Sequence, residues 1–122
     1  MHTRKVGALA ERVAACFLAI KGYAILELGY RFRGKEIDII AEREGTIAFV
    51  EVKFRRSKRF GLPREAVDAA KRRQIVFAAR GFLAERGFEE RACRFDVVEV
   101  RLLRGGLELV VEHIAGAFGA CR

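Results

Sequence analysis

The sequence predicts a single α/β domain, residues 1–122, in which helices flank a mixed β-sheet in the order α-β-β-β-α-β-β. Two long segments repeat apolar residues every three or four positions, which is typical of amphipathic helices. Five shorter segments have the apolar content and flanking turn residues of strands. The composition, 52% apolar and 33% charged, is that of a globular protein.

The first predicted element is a helix from Thr3 to about Lys21. Thr3 is a suitable N-cap, and Gly22 follows the helix as its C′ residue. The apolar stripe consists of Val6, Leu9, Val13, Cys16, Phe17 and Ile20. Glu11 lies off the centre of this stripe, so the pattern by itself places Glu11 on the solvated surface.

Three strands follow this helix. The first covers residues 23–32, with Gly29 as a bulge or a point of close approach. Residues 34–40 and 48–54 are separated by a short polar loop and therefore form an antiparallel hairpin.

The hairpin carries charged residues at alternate positions. Residues two apart in a strand share a face, so Glu36 and Asp38 point to one side, and Glu51 and Lys53 share a face of the second strand. The opposite face is predicted to hold Ile37, Ile39, Val50 and Val52. The charged face also carries Ile40 and Phe49, which indicates that a helix partly covers it.

A second helix is predicted from about Arg64 to Arg86, ending at Gly87. Its buried stripe is Val67, Ile75, Ala78, Ala79 and Phe82. Lys71 falls on the same stripe, where it either reaches solvent or meets carboxylates or phosphates. Residues 94–103 and 107–113 form the last two strands, and the tail from residue 114 has no predicted position.

The charge balance favours anionic partners, nucleic acid first. The net charge is +8 and the isoelectric point is about 10.0. Four cations, Arg55, Arg56, Lys58 and Arg59, directly follow the charged strand between two phenylalanines. No apolar run is long enough to span a bilayer and no signal peptide is recognisable, so we expect a cytoplasmic protein without a membrane partner.

The acidic patch suits a divalent cation. Carboxylates held close together repel each other and raise a pKa, and a cation removes that conflict. Mg²⁺ takes one or two carboxylates plus water and phosphate oxygens; Asp38, Glu51 and the carbonyl of Val52 would provide such a site, with Lys53 beside it. This chemistry is that of phosphodiester hydrolysis. The alternative is a solvated hairpin with stabilising Glu–Lys pairs.

Four sequence blocks carry a family resemblance. They are Glu36-Ile37-Asp38-Ile39-Ile40, Phe49-Val50-Glu51-Val52-Lys53, Arg94-Phe95-Asp96-Val97-Val98, and His113-Ile114 with Ala117-Phe118. In this order they resemble the PD-(D/E)XK nuclease superfamily. The resemblance is closer to the bacterial YraN-like family of small uncharacterised proteins, which is similar in core to archaeal Holliday-junction resolvases.

The resemblance implies a restriction-endonuclease-like fold with an αβββαβ core. It implies metal ligation by Asp38 and Glu51 and a catalytic role for Lys53, and it makes Glu11 a catalytic and metal-site residue. Lys71 or Gln74 matches a polar residue that such nucleases extend from the second helix. Lys35 stands where the family has glycine, which adds positive charge near the site.

The expected function is therefore that of an endodeoxyribonuclease dependent on Mg²⁺ or Mn²⁺, acting on branched or structured DNA, with a homodimer needed for two symmetric cuts. The expected nucleic-acid contacts are Lys35, Arg55, Arg56, Lys58, Arg59, Lys71, Arg72 and Gln74. The alternative is a nucleic-acid-binding protein that has a nuclease fold but no activity.

Overall fold

Five strands form one mixed sheet in chain order, β1-β2-β3-β4-β5. The structure is a computed structural model that describes residues 3–56 and 67–119. Its elements are α1 (Thr3–Ile20), β1 (Ala24–Phe32), β2 (Lys35–Arg43), β3 (Thr46–Arg55), α2 (Ala69–Arg86), β4 (Ala92–Leu103) and β5 (Glu108–Phe118). Strands β3 and β4 are parallel, and the other neighbours are antiparallel. The predicted α/β class with its αβββαβ core is confirmed.

The two helices cover opposite faces of the sheet, and each face has its own apolar core. On the α2 side, Phe82 packs against Phe49, and Phe49 stacks on Phe95 with ring centroids 5.5 Å apart. On the α1 side, smaller residues such as Ala48 and Val50 meet the helix. Since α2 connects β3 to β4, it provides the crossover that parallel strands require.

Helix α1 packs mainly through small residues, and the predicted stripe is only partly right, because Val13 packs against the core on this side but other stripe residues are exposed. The buried positions are Ala10, Ala14 and Leu18. Leu9 and Ile20 are 52% and 86% exposed, and Cys16 is also exposed. Alanines let the helix backbone approach the sheet closely, which the bulkier predicted stripe would not allow. This rotation brings Glu11, the neighbour of Ala10, closer to the sheet than the pattern predicted.

Helix α2 begins later than predicted. Val67 and Asp68 precede the helix, and Asp68 is its N-cap, with an extended backbone and a carboxylate that accepts a 2.8 Å hydrogen bond from the Lys71 N–H. Residues 57–66, which include Lys58 and Arg59, lie outside the described part of the chain. The predicted end is confirmed, because Gly87 caps the helix in the left-handed conformation.

Strand β5 continues beyond its predicted end at His113. It runs to Phe118, whose ring stacks on Phe95 at a centroid distance of 5.4 Å. The register between β4 and β5 shifts between Phe95 and Val97. This bulge lets the strand keep pairing while Phe118 enters the core on the α2 side.

The alternation of β2 is interrupted at Asp38. Ile37 packs in the core on the α2 side, whereas Ile39 packs on the α1 side, so the prediction that both share one face is wrong for Ile37. Gly29, which lies in β1 between the partners of these two residues, has φ +63°. A Cβ at Gly29 would lie 3.3 Å from Glu36 Oε2, which confirms the expected close approach.

Candidate active site

Asp38 lies where β2 and β3 stop pairing. The antiparallel register runs from Arg43–Thr46 to Ile39–Val50. Beyond it, the Val52 N–H donates a 2.8 Å hydrogen bond to Asp38 Oδ2. The carboxylate thus accepts a hydrogen bond from a backbone N–H of the neighbouring strand, and this bond fixes Asp38 between the two strands.

Glu51 is a buried carboxylate between two ammonium groups. It is 5% exposed, and its Oε2 lies 3.5 Å from Lys53 Nζ and 3.9 Å from Lys71 Nζ. Its other oxygen, Oε1, is buried and has no hydrogen-bond partner within the described ranges. Leaving a buried acceptor unsatisfied is costly, so a proton or a cation at Oε1 would be stabilising.

Electrostatic repulsion between carboxylates also occurs at this site. Burial, followed by the negative charge of Asp38, raises the pKa of Glu51 to about 7, although Lys71 and Lys53 act in the opposite direction. Burial, followed by the charges of Asp38 and Glu36, also raises the pKa of Glu11 to about 7. Asp38 on β2 is therefore close enough to Glu51 on β3 and to Glu11 on α1 to oppose the ionisation of both.

Both helices contribute side chains to the site. Glu11 approaches Asp38 from α1, and Lys71 reaches Glu51 from α2. Lys71 and Lys53 keep 38% and 30% of their side-chain surface exposed. Both ammonium groups can therefore meet an anion from solvent while they contact Glu51.

The carboxylates fit a divalent metal only as a pair. Among residues 3–56 and 67–119, no three His, Cys, Asp or Glu side chains are grouped so that together they could hold an ion. Asp38 and Glu51 offer two carboxylates, the number that Mg²⁺ typically takes from a protein, and Glu51 Oε1 is an unpaired oxygen. In this arrangement Glu11 stands beside the pair and contacts it through Asp38.

The structure distributes the remaining predicted site residues around this centre. Glu36 forms a 3.4 Å ion pair with Arg31. Lys35 opens β2 and is half-buried. Gln74 is exposed on α2, so of the two predicted α2 candidates Lys71 is the one that contacts Glu51.

The predicted basic contacts differ in their surroundings. Arg55 Nε lies 3.4 Å from Glu99 Oε2, whereas Arg56 is exposed and lies over the Phe54 ring. Arg72 donates from Nε to the Val67 carbonyl at 2.8 Å. Lys58 and Arg59 lie in the part of the chain that is not described, so their predicted contacts stay predictions.

A buried network around Asp96 was missed as a structural unit, although its residues belong to the family blocks. Asp96 is fully buried and accepts hydrogen bonds from Arg94 Nε at 3.0 Å, His113 Nε2 at 2.8 Å and the Gly116 N–H at 3.0 Å. Burial alone would raise the pKa of Asp96, but these hydrogen bonds and the Arg94 charge lower it. The network ties β4 to β5, and in the parallel ladder Asp96 stands opposite Val50, the residue before Glu51.

A second buried carboxylate, Glu99, was also missed. It is fully buried and forms ion pairs with Arg55 and Arg101, and Arg101 also reaches Glu112 at 3.3 Å. In the parallel ladder Glu99 stands opposite Lys53. The alternation of β4 could have predicted that Glu99 is buried, because Glu99 is two residues beyond the buried Val97 and shares its face of the strand.

In the part of the chain that the structure describes, neither helix has the length and apolarity of a membrane span.

Comparisons with known proteins agree with the sequence resemblance. The sequence profile described as "Uncharacterised protein family UPF0102" matches residues 10–100. The UPF0102 protein of Trichlorobacter lovleyi is 48% identical over 114 residues, covering 93% of this chain and 89% of the relative. The UPF0102 protein of Symbiobacterium thermophilum is 51% identical over 98 residues, covering 80% of this chain and 83% of the relative. That of Caldanaerobacter subterraneus is 44% identical over 119 residues, covering 97% of this chain and 98% of the relative.

Proposed function

The chain belongs to the uncharacterised protein family UPF0102, the YraN-like family of the sequence resemblance, and we propose that it is a divalent-metal-dependent endonuclease that hydrolyses DNA phosphodiester bonds. The proposed metal is Mg²⁺ or Mn²⁺. The proposed setting is the cytoplasm, with branched or structured DNA as the substrate and a homodimer as the form that cuts two strands.

The observation that carries this proposal is the environment of Glu51. Its buried Oε1 has no hydrogen-bond partner in the described ranges, and burial, followed by the negative charge of Asp38, raises the pKa of Glu51 to about 7. A solvated hairpin with Glu–Lys pairs would not bury a carboxylate in this way. Two carboxylates with an open oxygen favour a cation that both can bind.

The protein's own groups have separable roles in the proposed reaction. Asp38, held by the Val52 N–H at 2.8 Å, and Glu51 would hold the metal. When bound, such an ion supplies Lewis acidity and lowers the pKa of a water molecule. Lys53 and Lys71, which both lie beside Glu51, would stabilise the negative charge that a phosphate bound there gains during hydrolysis. Glu11, with a pKa near 7, can hold or release a proton at neutral pH.

The basic surface suits recognition of the DNA backbone. The net charge of +8 favours a polyanion, and few base-reading polar side chains stand among the cations around the site. The proposed contacts are Lys35, Arg55, Arg56, Lys58, Arg59, Lys71, Arg72 and Gln74. Recognition by shape and backbone is therefore expected over sequence readout.

The test is cleavage of branched, duplex and single-stranded DNA by the purified protein with Mg²⁺, with Mn²⁺ and with chelator. Asp38→Asn and Lys53→Ala should each lower the rate at least about 100-fold. Glu44→Gln is the matched control, because Glu44 is an exposed carboxylate in the turn of the same hairpin. Its rate should equal that of the wild type.

Two results would contradict the proposal. Cleavage that persists in chelator, or that Asp38→Asn leaves unchanged, would show that this centre does not perform the reaction. Tight DNA binding without metal-dependent cleavage of any of the three substrates would instead support the non-catalytic binding protein.

A further inference from the structure

A groove lies between α2 and the end of β5, on the same side of the sheet as Glu51. Its volume is about 470 Å³. It is lined by Arg72, Arg73, Val76, Phe77, Arg80 and Phe118. The groove thus combines three guanidinium groups with aromatic rings, and none of its described lining residues is a carboxylate.

The arginines of this groove are held in different ways. Arg72 is anchored by its 2.8 Å bond to the Val67 carbonyl, and its guanidinium lies 5.5 Å from the Phe118 ring centroid. Arg73 and Arg80 are exposed and lie seven positions, or about two turns, apart on α2. One wall of the groove therefore presents a row of positive charge along the helix.

Phe77 provides the apolar surface between these cations. It is 44% exposed, although its ring contacts Phe32 at a centroid distance of 5.6 Å. The contact restrains the ring while much of its surface stays open to solvent. A restrained, exposed aromatic ring among arginines is the arrangement on which nucleic-acid bases stack.

The groove begins next to the candidate active site. Lys71, which contacts Glu51, immediately precedes Arg72 on α2. The nine residue steps from Lys71 to Arg80 span about 14 Å of helix, or roughly four nucleotides at 3.4 Å each along a stacked strand. A strand that leaves the site along α2 would therefore pass all three arginines.

From this arrangement we propose that the groove binds a single-stranded segment of nucleic acid that flanks the cleavage site, with Arg72, Arg73 and Arg80 on its phosphates and a base on Phe77. This inference rests on the proposed nuclease function for the identity of the strand. A duplex keeps its base faces stacked inside and cannot use Phe77 in this way. An acidic peptide could use the arginines but does not require the ring.

Binding of a fluorescent single-stranded oligothymidylate, measured by anisotropy in chelator, tests the role of the ring. Phe77→Leu should weaken binding roughly tenfold, because one base–aromatic stack is lost, and should leave binding of a duplex unchanged. Phe77→Trp should bind at least as well as the wild type. Phe17→Leu, on α1 at the opposite face of the sheet, is the matched control and should change neither affinity.

The salt dependence tests the arginines. The double variant Arg73→Ala/Arg80→Ala should reduce the slope of log affinity against log salt by about 1.4, since each single-strand phosphate contact contributes about 0.7. Lys5→Ala/Arg104→Ala removes the same charge outside the groove and should leave the slope close to that of the wild type.

Equal loss of single-strand and duplex binding in Phe77→Leu, or no loss of either, would overturn the proposal. So would displacement of the oligonucleotide by polyglutamate as effectively as by unlabelled oligothymidylate. Because chelator prevents metal-dependent cleavage, these measurements are independent of turnover. If the protein cleaves no DNA but binds single strands through Phe77, the nuclease function alone is refuted. If it cleaves DNA but its single-strand binding does not depend on Phe77, the groove proposal alone is refuted.

Discussion

The Val52 N–H donates a 2.8 Å hydrogen bond to Asp38 Oδ2 just beyond the last paired residues of the β2–β3 ladder. One carboxylate therefore has two functions. It satisfies a backbone donor of the central strand, and its negative charge adds to the effect of burial in raising the pKa of Glu51. Stability and the proposed chemistry are thus coupled at Asp38, and substitutions can separate them.

Asp38→Asn and Asp38→Ala should differ in stability. Asparagine keeps an oxygen that can accept the Val52 N–H bond, and both variants remove the charge that opposes ionisation of Glu51. Without metal, Asp38→Ala should be less stable than Asp38→Asn by about 1–2 kcal/mol in urea unfolding at neutral pH. Equal stabilities would mean that the hydrogen bond contributes nothing net.

The metal-free protein should lose stability as pH rises from about 4.5 to about 7. The pKa of Glu51 is about 7 in the folded protein and 4.5 ordinarily, so the folded state binds more protons in this window and the slope is negative. The Glu51 contribution should be on the order of 3 kcal/mol, since one pKa unit corresponds to about 1.4 kcal/mol. Urea unfolding at several pH values measures it.

Glu51→Gln should flatten this pH dependence, because glutamine does not titrate. Glu11 shifts in the same direction and should leave part of the slope in that variant. Glu44→Gln is the control and should retain the full slope. A wild-type stability that increases with pH across this window would contradict the prediction.

Mg²⁺ or Mn²⁺ should raise the melting temperature at neutral pH, because an ion that binds only the folded state stabilises it. At a hundred times the dissociation constant, the gain is about 2.7 kcal/mol. Glu51→Gln removes one of the two carboxylates and should lose most of this response, whereas Glu44→Gln should keep it. An equal response in all three proteins would place metal binding elsewhere.

Gly81→Ala should destabilise the fold even though alanine favours helices. A Cβ at Gly81 would lie 2.5 Å from ring atoms of Phe32, so α2 or the ring must move. We expect a loss of about 1–3 kcal/mol, larger than the gain of up to about 1 kcal/mol in helix propensity. Ala84→Gly, at an exposed position of the same helix, should cost only the propensity term. Thermal or urea unfolding distinguishes the two, and a more stable Gly81→Ala would refute the packing.

The hairpin site was predictable because it depends on local alternation. Glu51 and Lys53 share a face for the simple reason that they are two residues apart, and the short loop brings Asp38 to the same end of the hairpin. For Lys71 the sequence left two possibilities, reaching solvent or meeting carboxylates or phosphates, and the structure shows an ion pair with Glu51 while 38% of the side chain stays exposed.

Helix α1 was less predictable from its pattern. Hydrophobicity favours the face with Leu9 and Ile20, but close packing against the sheet selects the face with Ala10 and Ala14. The residue pattern alone assigned Glu11 to the solvated surface for this reason, and only the family resemblance placed it in the site. The continuation of β5 to Phe118 likewise depends on a ring contact with Phe95, distant in sequence.

The assembly of the site from both faces of the sheet has a consequence for folding. Asp38, Glu51 and Lys53 come from one hairpin, but Glu11 and Lys71 join them only when α1 and α2 have docked on opposite sides. An incompletely folded chain would therefore carry isolated acidic side chains and no complete catalytic centre. If the proposed cleavage of DNA depends on all five residues, it would be confined to chains in which both helices have docked on the sheet.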